Sequence, residues 1–147
     1  MTAFYSGGLR FSCTRCSACC GGESGYVFLS AYDLKRLCAV TALNSDTFCR
    51  EYCRWIPFST TVERLSLKEK ANFDCIFLDN TGCSIYSARP QQCRSFPFWI
   101  SILQTVEQWE SMAHDCPGMN YGILYSNEDI QQWIVQQQNE QLITRNR

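Results

Sequence analysis

The stretch Cys13-Thr-Arg-Cys16-Ser-Ala-Cys19-Cys20, followed by Gly21-Gly22, is the strongest local signal in this sequence. It is a C-x2-C-x2-C-C pattern, in which thiolates three positions apart in a tight turn can face one metal ion. The small flanking residues let the backbone approach the sulfurs and aim N–H groups at them. The side chains of adjacent residues point in different directions. We therefore expect Cys19 and Cys20 to bind one metal each, or one of them to be a ligand and the other to lie beside that ligand.

Cysteines are also frequent outside this stretch, with 11 in a chain of 147 residues. The total is odd, and the first residues show neither the basic nor the apolar segment of a secretory signal. These features predict a reducing, cytoplasmic location, where metal binding, catalysis and burial are the roles open to a cysteine. Four cysteines in turn-rich or strand-like contexts are predicted to be ligands: Cys75, Cys83, Cys93 and Cys116.

The sequence contexts of three cysteines in the middle of the chain indicate that they pack in the core and do not bind metal. Cys38 lies among leucines on a helical pattern, and Cys49 and Cys53 are four residues apart on a predicted helix. The latter pair could face one metal, but no histidine lies nearby to complete a site. We therefore expect all three to be small buried side chains, which is a common role for a cysteine thiol.

Composition limits the classes of partner. The formal net charge is −1, so the chain lacks the basic excess typical of nonspecific nucleic-acid binding. No apolar run approaches 18 residues, and no membrane span is expected. The partners predicted are a metal ion or cluster and, beyond it, a protein. A chain of this length predicts one domain over residues 1–147, with residues 119–147 as a C-terminal extension that carries a terminal helix.

Hydrophobic periodicity and turn residues predict an α+β fold, a small single domain of short helices and hairpins organised around a cysteine-ligated metal site. A helix over about 31–41 is expected after the capping-box sequence Ser30-Ala-Tyr-Asp33. The other predicted elements are a helix over about 46–54, strands over 61–67 and 73–78 with a turn at 79–82, a hairpin from 96–100 and 106–112, and a helix beginning at Ser126. The glutamine-rich residues 136–141 are expected to fray or to reach into solvent.

No catalytic constellation accompanies these cysteines. His114 is the single histidine, and its default role is a solvated loop residue, although it lies two positions from Cys116. The sequence contains no nucleophile elbow, P-loop or dinucleotide fingerprint. The catalytic residues of any enzymatic activity are therefore not assigned by the sequence.

Five motifs together resemble a known family, the YkgJ-like bacterial cysteine-cluster proteins, which are described as zinc- or iron-chelating. In chain order the motifs are Phe11-Ser-Cys-Thr-Arg-Cys-Ser-Ala-Cys-Cys-Gly21, Cys75-Ile-Phe-Leu78, Gly82-Cys-Ser-Ile-Tyr86, Arg89-Pro-Gln-Gln-Cys-Arg-Ser-Phe-Pro-Phe98 and Cys116-Pro-Gly118. The resemblance implies a metal-site set of Cys13, Cys16, Cys19, Cys20, Cys75, Cys83, Cys93 and Cys116. It leaves the identity of the metal open.

The spacing favours an iron–sulfur cluster, of the 4Fe-4S type, over zinc. Bacterial ferredoxins use C-x2-C-x2-C with a further Cys-Pro ligand, and Cys116-Pro117 can supply the latter. Zinc remains the alternative, since eight cysteines suffice for two closed tetrahedral sites. Arg15, Arg89 and Arg94 lie beside ligand candidates and are predicted to contact the cofactor by donating to sulfur.

Three function classes remain open. The first is a metal-binding protein with an iron–sulfur centre that acts in electron transfer, sensing or metal and cluster handling. The second is a zinc-stabilised interaction module, and the third is an enzyme that modifies a protein or peptide at the metal centre. The sequence favours the first class.

Overall fold

A computed structural model of the protein describes residues 3–14 and 25–147. Its elements in chain order are β1 (Leu9–Phe11), α1 (Ala31–Thr41), α2 (Ser45–Tyr52), β2 (Cys53–Pro57), β3 (Val62–Leu67), β4 (Leu78–Asp79), β5 (Gly82–Cys83), a 3₁₀ turn (Tyr86–Ala88), α3 (Gln91–Ser95), α4 (Val106–Asp115), β6 (Ile123–Tyr125), α5 (Asn127–Asn139) and β7 (Thr144–Asn146). The predicted α+β class is confirmed.

The chain forms two compact units. The first comprises Met1–Ala18 and Ser95–Glu140, and the second comprises Cys19–Arg94 and Gln141–Arg147. No helix in the described part of the chain is long and apolar enough to cross a membrane.

The second unit is built on the antiparallel sheet β2-β3-β7. Strand β3 alternates so that Leu65 and Leu67 lie on the face that packs into the core, where burial of apolar surface stabilises the unit. Helices α1 and α2 contribute Leu37 and Phe48 to the same core, and both side chains are fully buried. Short strands β4 and β5 form a separate two-stranded hairpin in this unit.

The first unit packs α4 and α5 around the two-stranded sheet β1-β6. Its core is centred on Trp109 of α4 and Ile130 of α5, which are both buried. The Trp109 indole N–H donates to the side-chain oxygen of Asn120 at 2.8 Å, so this large side chain is buried without an unsatisfied donor.

Local capping signals predicted the two longest helices correctly. Ser30 and Asp33 form a capping box at the start of α1, and Ser126 and Asp129 form the same arrangement at the start of α5. The strand predicted over 61–67 is confirmed as β3. The helix predicted over 46–54 ends earlier, because the chain enters strand β2 at Cys53.

Two other predictions were wrong, and a third is confirmed only in part. Residues 73–78 form turns, and only Leu78 lies in a strand. The Asn72 side chain accepts a hydrogen bond from the Asp74 N–H, and this local bond replaces the pairing with a neighbouring strand. Residues 106–112 lie in a helix and not a hairpin, because Thr105 caps the Gln108 N–H. Most of residues 136–141 are exposed to solvent, as expected, but helix α5 continues to Asn139 and does not fray, and the Gln137 side chain bonds the backbone of Phe98 and Ile100.

Candidate metal centre

In the first unit, the segments that carry Cys13 and Cys116 are hydrogen-bonded to each other. The Ser12 N–H donates to the Gly118 carbonyl at 3.1 Å, and Phe11 forms a β-bridge with Met119. Cys116 is the buried C-cap of α4, whereas Cys13 is exposed. A Cβ atom at position 118 would collide with the Ser12 carbonyl oxygen, so the glycine of the Cys-Pro-Gly motif permits this approach.

In the second unit, Cys75 and Cys83 lie at the two ends of one short stretch. Cys75 forms a β-bridge with Glu69, its carbonyl accepts from the Leu78 N–H, and Cys83 pairs with Leu78 across the β4-β5 hairpin. Both cysteines are half-buried and pack against the core of the unit. Gly82 begins strand β5 directly after the turn of the hairpin, and its φ of 111° favours glycine.

Cys93 lies in the short helix α3, which the structure ties to two other segments. The Asp33 carboxylate accepts a hydrogen bond from the Gln91 N–H at 3.0 Å, and it is fully buried. The Gln92 side chain accepts from the Phe28 N–H at 3.1 Å and donates to the Tyr26 carbonyl at 2.7 Å. Helix α3 is therefore fixed both to α1 and to the segment that follows the C-x2-C-x2-C-C stretch.

The two arginines that bracket Cys93 differ in their surroundings. Arg89 Nε donates to the Tyr86 carbonyl at 3.0 Å, and its guanidinium stacks on the Tyr86 ring at 3.8 Å. Arg94 donates through one terminal nitrogen to the side-chain oxygen of Gln91 at 2.9 Å. The Nε of Arg94 is buried and has no hydrogen-bond partner within the described residues. Arg94 thus retains one buried donor for another acceptor.

Several predicted site residues lie outside the described part of the chain, namely Arg15, Cys16, Cys19 and Cys20. Within residues 3–14 and 25–147, no group of three or more His, Cys, Asp or Glu side chains is arranged to hold a metal ion. The described cysteines are not in disulfides, and none of the five predicted ligands among them is without an interaction partner. His114 is exposed at the end of α4.

The three cysteines predicted to pack do so. Cys53 is buried in the core of the second unit, and Cys38 and Cys49 are half-buried against it. Burial raises the pKa of all three thiols, most strongly that of Cys53, to about 12. This setting disfavours the thiolate form that a metal ligand needs.

Sequence reasoning missed the residues that hold the ligand segments in place. Asp33 was recognised only as a helix cap, and its bond to Gln91 spans 58 positions. Arg36, one helical turn further along α1, donates to the carbonyls of Ser87 and Arg89 at 3.1 Å each. Polar contacts between distant segments, such as these, have no local sequence signal beyond the types of the residues involved.

Comparison with known proteins assigns the chain to a family. No solved structure matches the chain. The sequence matches the model of the CxxCxxCC family, described as a putative zinc- or iron-chelating domain, over residues 12–117. This span contains all eight motif cysteines and most of the chain. The match confirms the resemblance to the YkgJ-like proteins and supports metal binding in general. The chain belongs to the CxxCxxCC family of zinc- or iron-chelating domains.

Proposed function

We propose that this protein carries a cysteine-ligated iron–sulfur centre of the 4Fe-4S type and acts in electron transfer, sensing or the handling of metal and clusters. The ligand candidates are the eight motif cysteines, of which one 4Fe-4S cluster takes four and the others are left for a second metal or a place beside the ligands: Cys13, Cys16, Cys19, Cys20, Cys75, Cys83, Cys93 and Cys116. Support comes from the C-x2-C-x2-C spacing with a remote Cys-Pro, which matches the ligand pattern of bacterial ferredoxins.

The buried Nε of Arg94 is the observation that carries the proposal. A buried N–H without an acceptor costs about 1–3 kcal/mol, so such donors are rarely left unsatisfied. This donor belongs to the residue next to a proposed ligand, Cys93, and the described protein offers it no acceptor. A ligand sulfur or a bridging sulfide is the acceptor that a metal centre at Cys93 would supply.

The chemistry of the donor set fits such a centre. An iron–sulfur cluster, when bound, accepts and releases single electrons, and hydrogen bonds to its sulfurs tune its reduction potential. The cysteines of this chain would hold it as thiolates, and the permanently charged guanidinium of Arg94 would offset part of their negative charge. Asp33 and Gln92 would fix the helix that carries Cys93.

Metal and sulfide analysis of protein purified without oxygen tests the proposal. The expected result is a brown protein that contains iron and acid-labile sulfide in similar amounts. Zinc without sulfide would overturn the iron–sulfur centre in favour of a zinc-stabilised module. Protein that folds with no bound metal, even after reconstitution with iron, sulfide or zinc, would overturn metal binding altogether.

A further inference from the structure

One face of the sheet β2-β3-β7 points away from the core of the second unit and carries arginines and aromatic rings. Cys53 of β2 and Leu65 of β3 are buried in that core. Because successive side chains of a strand point to opposite faces, the next residue of β2, Arg54, and the preceding one of β3, Arg64, lie on the other face. An isolated β-bridge to β3 places Phe28 there as well. We call this surface the arginine–aromatic face, and its residues are Tyr26, Phe28, Arg54, Phe58 and Arg64.

The guanidinium of Arg64 is held by two aromatic rings. Its central carbon lies 3.6 Å from the centroid of the Phe58 ring and 5.5 Å from that of the Phe28 ring. Such cation–π contacts fix the position of a guanidinium without using its N–H groups. Within residues 3–14 and 25–147, no atom accepts a hydrogen bond from the Arg64 side chain and no carboxylate pairs with it. A positioned cation therefore retains its N–H donors for a ligand.

The other arginines of this sheet already have carboxylate partners. Arg54 pairs with Glu69 at 2.5 Å, and Arg145 of β7 pairs with Glu63 at 3.1 Å. Glu63 precedes Arg64 in β3, but its side chain is taken by Arg145 on the core-facing side of the sheet. The charge of Arg64 is thus the one in this sheet that no carboxylate of the described chain balances.

The rings of the arginine–aromatic face are open to solvent. Phe58 is 60% exposed and Tyr26 is 48% exposed. Ile56, which lies opposite Arg64 in the register of β2 and β3, adds a half-buried apolar side chain. Aromatic residues and arginine are the types enriched at the centres of protein–protein interfaces, where a few of them carry most of the binding energy. The composition of this face therefore fits a protein partner.

We propose that the arginine–aromatic face docks an acidic segment of a partner protein. A glutamate or aspartate carboxylate of that segment accepts two hydrogen bonds from the Arg64 guanidinium, and a neighbouring apolar side chain packs on the exposed Phe58 ring. A carboxylate matches the planar fork of the guanidinium in shape and in charge. A nucleic-acid strand fits less well, because Glu63 and Glu69 lie beside the arginines and would repel a row of phosphates, and the net charge of the chain is −1.

The experiment screens the full chain against an array of short synthetic peptides of varied composition. We expect the bound peptides to be enriched in aspartate or glutamate next to an apolar residue. The affinity of the best peptide, measured by fluorescence anisotropy, should fall as the salt concentration rises. Absence of bound peptides, bound peptides without this enrichment, or tighter binding of an oligothymidylate strand than of the best peptide would overturn the proposal, whether or not the protein binds metal.

Variants of the face locate the binding site. Arg64→Gln should weaken the binding of the best peptide by at least about tenfold, and Phe58→Ala, at an exposed position, should weaken it as well. Arg145→Gln is the matched control, because it removes an equal charge from the same sheet, but from a guanidinium that Glu63 already pairs, and it should bind as the wild type does. Equal affinities in Arg64→Gln and Arg145→Gln would overturn the proposal. A wild-type dimer that becomes a monomer in Arg64→Gln, measured by size-exclusion chromatography, would overturn it in favour of a second copy of this chain.

Discussion

The Asp33 carboxylate accepts hydrogen bonds from two backbone N–H groups, that of Ser30 in its own capping box at 3.1 Å and that of Gln91 at 3.0 Å. The first bond begins helix α1, and the second fixes the start of the helix that carries Cys93. The side chain is fully buried, so water cannot replace either bond. One carboxylate thus links the stability of the second unit to the placement of a proposed ligand.

Replacing Asp33 with alanine should therefore cost more than the loss of a helix cap. An ordinary cap contributes about 1 kcal/mol, and each buried N–H left without an acceptor adds about 1–3 kcal/mol. We expect Asp33→Ala to lower the free energy of unfolding by about 3 kcal/mol, measured by urea denaturation. Asp129→Ala is the matched control, because Asp129 occupies the same capping-box position in α5 but is exposed, and it should cost about 1 kcal/mol. Equal losses in the two variants would contradict the second role of Asp33.

Single Cys→Ser replacements should divide the cysteines into two groups by their metal content. Loss of bound metal or of solubility is expected at the proposed ligands Cys13, Cys16, Cys19, Cys75, Cys83, Cys93 and Cys116. Replacement of Cys38, Cys49 or Cys53 should leave the metal stoichiometry unchanged and lower stability only modestly, because a hydroxyl enters an apolar setting. If Cys49→Ser lost metal as Cys16→Ser does, the division proposed here would be wrong.

Gly118 offers a test of the contact between the Cys13 and Cys116 segments. A Cβ atom at this position would overlap the Ser12 carbonyl oxygen, which is backbone and cannot move aside cheaply. Gly118→Ala should therefore separate the two segments, lower the melting temperature and speed the loss of metal to a chelator. Gly7→Ala is the matched control, because a Cβ there meets nothing within 4 Å. Chelator kinetics that are identical in the two variants would show that this contact does not support the metal site.

Local sequence signals predicted those parts of the fold that depend on neighbouring residues. Both capping boxes are complete within four positions, and the alternation of β3 lies within a single strand. The apolar run of residues 73–78 misled the prediction, because such a run does not show that the side chain of the preceding Asn72 bonds the backbone locally. The start of α4 did have a local signal, Thr105-Val-Glu-Gln108, which has the form of a capping box.

The candidate site was predictable only in its residue types. Cysteine spacing and the family resemblance together supplied the proposed ligands, which stay a prediction, and the family match over residues 12–117 spans all eight of them. The bonds from Asp33 to Gln91 and from Gln92 to Phe28 join segments 58 and 64 positions apart, and they follow from tertiary packing. No periodicity or spacing rule within a single sequence specifies such pairs.

The stability of the second unit should decrease at alkaline pH because of Cys53. Burial raises the pKa of this thiol from its ordinary value of 9.0 to about 12, and the neighbouring Cys49 and Cys38 thiols act in the same direction, while Lys68 opposes them. Between these two values the unfolded chain loses a proton that the folded chain keeps, so the free energy of unfolding falls as pH rises. The stabilisation that comes from keeping the Cys53 thiol neutral is fully present below pH 9 and is lost as the pH rises toward about 12. In that range the free energy of unfolding falls by up to about 1.4 kcal/mol per pH unit.

Urea denaturation at a series of pH values measures this slope. Cys53→Val replaces the thiol with an apolar group that does not titrate, and it should give a shallower decline than the wild type above pH 9. Parallel curves for the two proteins would contradict the raised pKa of Cys53.

The two arginines beside Cys93 should respond differently to replacement by glutamine. Arg94 has a buried Nε without a partner among the described residues, whereas Arg89 donates its Nε to the Tyr86 carbonyl and stacks on the Tyr86 ring. Arg94 is therefore the one with a donor available to a ligand sulfur. Arg94→Gln should fold and load metal, but lose it about 10–100-fold more readily to a chelator, as expected for a residue that supports a ligand.

If iron is bound, the same variant should have a lower reduction potential, because loss of a nearby positive charge disfavours the addition of an electron. Arg89→Gln removes an equal charge two residues before Gln91, and it serves as the matched control. We expect it to alter the local loop and to change metal retention less, since its Nε bond holds the Tyr86 carbonyl. If Arg94→Gln matches the wild type in chelator kinetics and in reduction potential, the buried donor of Arg94 does not contact a metal centre. The observation that supports the proposed function would then be contradicted.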